Sequence, residues 1–74
     1  MNGPTVFAPW FVVQKLKRGE LVYFYSVDSG DPFTSKKAEA MLFTNLHSAS
    51  RVALAEVAEV RALFSDDDAK EFGR

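Results

Sequence analysis

Two groups of side chains in this chain are of types that do chemistry. They are the single histidine, His47, beside Ser48 and Ser50, and the acidic run Asp66-Asp67-Asp68 with Glu71 nearby. A histidine within reach of a hydroxyl is the start of a base and nucleophile pair. No G-x-S-x-G or similar nucleophile turn accompanies either serine, however. With no cysteine and no second histidine there is no zinc ligand set. The acidic run offers oxygen ligands of the kind that suit magnesium or calcium. It lacks the alternate spacing and the glycine of a calcium loop, and its position after Ser65 reads better as a helix start. Ser65 would be the cap and Asp68 the capping-box residue, with carboxylates where the helix dipole favours them. Asp28-Ser29-Gly30-Asp31 reads as a turn. No catalytic, cofactor-binding or metal-binding residue is assigned, and the chain is expected to be no enzyme.

What remains is recognition by surface. Lys15, Lys17, Arg18, Lys36 and Lys37 form a basic group near Tyr23 and Tyr25, and aromatics on a sheet beside cations hold single-stranded nucleic acid by stacking and phosphate contact. The overall charge argues against that use, because nine basic and ten acidic side chains give −1. The distribution is uneven: residues 1–37 carry five basic and three acidic groups, net +2, and residues 38–74 carry four and seven, net −3. Trp10, Val12, Tyr23 and Tyr25 are the better candidates for a protein contact, since Trp and Tyr combine apolar area with a polar handle.

These residues belong to the stretch Trp10 to Val27, which reads as a β-hairpin with strands of about 10–17 and 21–27 around Arg18-Gly19. A two-residue loop sets Lys17 opposite Glu20 as a cross-strand ion pair. One face then carries Trp10, Val12, Gln14, Leu16, Leu21, Tyr23, Tyr25 and Val27, and the other Phe11, Val13, Lys15, Val22, Phe24 and Ser26. Both faces are apolar and need covers, and the rest of the chain is expected to supply one. Residues 33–37 read as a loop and Ala40-Met41-Leu42-Phe43 as a third strand. A helix of about 45–56, capped by Thr44 or Asn45, places Leu46, Ala49, Ala53 and Val57 on one stripe, with His47, Ser48, Arg51 and Ala55 opposite. Val60 and Phe64 prolong that stripe, yet residues 58–64 also alternate like a strand. The strand is the preferred reading, and a helix running on to Phe64 is the alternative. A short terminal helix would end near Phe72, with Gly73-Arg74 frayed.

The chain is one domain of 74 residues: an arm over 1–9 whose Val6 and Phe7 dock on the sheet, a ββ(β)αβ core over 10–64, and an acidic segment over 65–74. A chain of this size buries only about 60–65 % of its unfolded surface and is marginal alone. At 47 % hydrophobic residues it is too apolar for disorder. The N-terminus lacks the basic region and cleavage site of a signal peptide, and no stretch approaches a membrane span, so a cytoplasmic location is expected.

The order WFVVQKL, ELVYFYSV, AMLF, TNLHSASRVALAE and AEVRALF, over residues 10–64, resembles that of small phage and prophage proteins with a hairpin, a short strand, an Ala-rich helix and a last strand. The resemblance is one of pattern and carries no functional residues over. It implies binding to another macromolecule, including inhibition of host defence complexes such as CRISPR effectors. The sequence thus leads to an α+β fold, an antiparallel sheet of three or four strands with one helix on a face. The expected function is non-enzymatic protein binding, as a homodimer or a small inhibitor. Single-stranded nucleic-acid binding is the alternative.

Overall fold

A computed structural model describes residues 9–26 and 30–73, and the docking of Val6 and Phe7 and the fraying of Arg74 lie outside them. The second strand ends at Phe24 rather than near Val27, since the Phe24 carbonyl accepts the Met41 N–H at 3.0 Å instead of continuing the ladder with the first strand. The hairpin forms from β1 (Trp10–Lys17) and β2 (Glu20–Phe24), joined by a two-residue loop that pairs Lys17 with Glu20. Arg18 and Gly19 both take positive φ, 55° and 81°, which is the turn whose twist matches that of the strands. The cross-strand ion pair does not form. Lys17 Nζ instead donates to Asp31 Oδ2 at 2.9 Å.

The third strand is not Ala40–Phe43. It is β3 (Phe33–Thr34), inside the segment read as a loop, and it pairs with the end of β2. The reason is local: the Asp31 carboxylate accepts the Phe33 N–H at 3.2 Å, and the Phe33 ring then meets Phe24 edge-on, 5.9 Å between centroids. A 3₁₀ turn (Lys37–Glu39) follows and buries Ala40. Residues 41–43 act as a wedge where β2 diverges from β1. The Met41 N–H donates to Phe24 O (3.0 Å), and Phe43 exchanges two backbone hydrogen bonds with Phe11, at 2.7 and 2.8 Å.

Asn45 caps α1 (Leu46–Glu56), its side chain accepting from the Ser48 N–H. The helix stops at Glu56 because Val57 turns into the left-handed region (φ 54°, ψ 52°), and the Ala58 N–H closes back onto Ala53 O at 2.8 Å. The chain then enters β4 (Glu59–Leu63), which pairs antiparallel with Trp10 to Gln14 of β1. The segment is therefore a strand, and the sheet order is β3-β2-β1-β4. Ser65 caps α2 (Asp66–Lys70) through the Asp68 N–H at 3.2 Å, as its sequence requires.

The two hairpin faces fall as the alternation demands, but both are covered. On one, Ala49 and Ala53 of α1 lie against Val13, Val22, Phe24 and Phe33; small side chains in mid-helix let it sit close to the sheet. On the other, Val12, Tyr23 and Leu63 are closed over by Ala40 and Phe72. The expectation of a single cover is overturned by this C-terminal segment. Tyr23 and Phe72 meet edge-to-face with centroids 5.2 Å apart, and Phe72 is 2 % exposed. Gly73 is likewise packed rather than frayed. Its φ of +79° lets the backbone pass Ala38, where a Cβ would come within 3.0 Å of the Ala38 carbonyl oxygen.

Phe72→Ala should therefore destabilise the protein by about 3–5 kcal/mol in chemical denaturation, the cost of truncating a core aromatic. A loss near zero would mean that the second face is not closed by this segment.

Candidate functional site

The side chains singled out for recognition are dispersed by the fold. Val12 is fully buried and Tyr23 is 2 % exposed, so neither offers surface to a partner. Trp10 and Tyr25 are half-buried at the sheet end away from the hairpin tip. The cations divide between the two faces. Lys15 Nζ sits 4.2 Å above the Phe33 ring on the α1 side, and Lys17 is held by Asp31. On the other side Lys37 Nζ lies 5.9 Å from the Phe72 ring and 3.8 Å from Glu71. Arg61 completes that arrangement, 5.5 Å from the same ring and 4.0 Å from the same carboxylate. Such exposed pairs add little individually, but together they fasten α2 to the sheet. Arg18 and Lys36 are exposed. Lys15 and Lys17 thus lie on the face away from Tyr23, and Tyr23 itself is covered by Phe72.

His47 is exposed in the first turn of α1, next to the capping bond between Ser48 and Asn45. In the acidic run, Asp68 makes the cap contact through its backbone and Asp67 faces Lys70 at 3.8 Å. Among the described residues no three histidines or carboxylates gather at one point that could hold a metal ion.

The surface that does stand out was not singled out from the sequence. Three large apolar side chains, Leu16 (69 % exposed), Leu54 (84 %) and Val57 (89 %), rim an open concavity of about 620 Å³ floored by Ala53 and Ala58. Leu46 is also exposed. The stripe Leu46, Ala49, Ala53, Val57 therefore contributes only its alanines to the core. The concavity arises because β4 starts opposite Gln14 whereas β1 runs on to Lys17, which leaves the Leu16 stretch without a partner on that side. At its edge Gln14 donates to Glu59 (3.0 Å), while Gln14 Oε1 is buried without a protein partner. A donor delivered to this corner would satisfy it.

Val57 is the anomaly of the rim. A β-branched residue in the left-handed region is strained, and glycine is the usual occupant of this helix-ending position. Its side chain gains almost no burial in return. The sequence signal was Leu54, a large apolar residue about 100° around the helix from Ala53, off the core stripe.

Compared with models of known protein families, with curated proteins and with solved structures, the chain matches none. The fold and surface define its class: a small α+β domain with a closed two-sided core and an apolar rim at one end of its helix.

Val57→Gly should raise stability by about 1 kcal/mol, since it relieves the left-handed penalty and forfeits little burial. Thermal melting checks this, and a fall in stability would show that the Val57 side chain is needed by the fold. A second expectation concerns acid. The Lys17 hydrogen bond first, then the Phe33 N–H, hold the Asp31 carboxyl below its ordinary value of 3.8. Their stabilising contribution is thus complete above that value and is lost as pH falls through the lowered one. The difference in denaturation midpoint between wild type and Asp31→Asn should be present at neutral pH and shrink below pH 3.8. A pH-independent difference would contradict the assignment.

Proposed function

We propose that the chain is a non-enzymatic protein-binding module whose contact surface is the rim of Leu16, Leu54 and Val57. The observation that carries this reading is the coincidence of three exposed large apolar side chains with backbone strain at Val57. Scattered apolar residues are ordinary on a surface, but clusters around a hollow mark contact sites. Strain that the fold does not need collects where function selects it. A contact of this kind also suits a small cytoplasmic inhibitor docking on a larger complex, such as a CRISPR effector, the role that the pattern resemblance implies. The burial of Tyr23 and the engagement of Lys15, Lys17 and Lys37 weigh against the nucleic-acid reading.

Leu54→Lys is the direct test, because lysine is a good helix former and is favoured near a helix C-terminus, so folding is spared. Immobilised wild-type chain, and the variants His47→Ala and Asp67→Asn, should capture the same protein from extracts of the source cell, and Leu54→Lys should not. Equal capture by Leu54→Lys, or loss with His47→Ala at unchanged melting temperature, would overturn the proposal.

A further inference from the structure

The outer edge of β4 adjoins this rim. Phe11 exchanges its backbone hydrogen bonds with Phe43, on the β2 side of β1. Alternation then directs the backbone groups of Trp10, Val12 and Gln14 toward their partners Leu63, Arg61 and Glu59. The intervening residues of β4, Val60 and Ala62, therefore point their N–H and C=O groups outward. No strand among the described residues pairs with that edge. Above it, on the side of α1 away from β2, lie the exposed Leu54 and Val57; beyond its end lies Phe64, also exposed.

We propose that two copies of this chain join edge to edge through β4, antiparallel about a two-fold axis at Val60, giving one eight-stranded sheet. The proposal rests on the protein-binding reading above and names the occupant of its surface. The register is chosen by charge. With Val60 opposite its own copy, Glu59 of each chain falls opposite Arg61 of the other on one face, two complementary cross-strand pairs. Centring on Arg61 would oppose two like charges instead. Centring on Ala62 would set Arg61 opposite Leu63, with no complementary charge across the edge. Val60 and Ala62, opposite Val13 and Phe11, share the face of the sheet that α1 covers, so the exposed Leu54 and Val57 of each copy stand over the joined edge on that face, while the charge pairs lie on the other.

Sedimentation equilibrium on the full chain across the micromolar range should show a monomer–dimer equilibrium. Glu59→Arg, at an exposed position, should weaken it about tenfold or more; Arg61→Glu, which also gives up the contact with Glu71 and is therefore read beside its melting temperature, should do the same, and the double exchange Glu59→Arg/Arg61→Glu should restore it. Circular dichroism of each variant checks that the fold is intact. Val60→Pro removes an outward N–H that the β1–β4 ladder does not use, and should give a folded monomer. A wild type that is monomeric throughout would overturn the proposal, whether the Val60 amide exchanges freely or is protected by another part of the chain. So would a dimer unmoved by Glu59→Arg. If wild type is monomeric while Leu54→Lys still abolishes capture of a different protein, the second copy is excluded and the protein-binding reading stands.

Discussion

Val12 and Val13 are neighbours on one strand, so they face opposite sides of the sheet, and both are completely withdrawn from water. That double burial is the constraint on which the rest of the molecule depends. A sheet apolar on both faces needs two covers, and here they come from short elements. One is an eleven-residue helix that touches the sheet mainly through two alanines; the other is a five-residue helix followed by one phenylalanine. Aromatic rings at Phe33, Phe43 and Phe72 supply the volume that the helices do not. Because the aromatic area is large relative to the elements carrying it, a chain without disulfides closes around two small cores.

The same economy sets the surface. An α1 short enough to return directly into β4 must end abruptly, and Val57 makes that end in the left-handed region. Leu54, one turn earlier, is then covered by none of the described residues. Exposure and strain converge at this point, while the titrating groups stay dispersed in caps, surface ion pairs and contacts with rings. At Val57 an exposed apolar side chain is kept at the expense of backbone ease.

Much of the fold was legible because local signals agreed. Arg18-Gly19 between alternating runs specified both the turn and the register, Thr44-Asn45 and Ser65 specified helix starts, and the alternation put Tyr23 and Phe24 on opposite faces, without saying which of them the helix would cover. The third strand was misplaced because Phe33 owes its pairing to one Asp31 contact and one aromatic contact, neither visible as periodicity. The second cover was missed for a related reason. Only one residue in the last turn, Phe72, carries it, and its partners Tyr23 and Ala40 are distant in sequence. The candidate surface was the least legible part. Sequence pattern separates apolar from polar positions, but the exposure of Leu54 and Val57 depends on where the helix stops.

The short C-terminal segment seals the second face of the sheet. That closure is tested most directly by a nuclear Overhauser spectrum of the full chain in solution. With ring centroids 5.2 Å apart, cross-peaks between the Tyr23 and Phe72 ring protons are expected. A spectrum in which the Val13 contacts to Ala49 and Ala53 are present, but Phe72 shows no contact to Tyr23, would contradict the account.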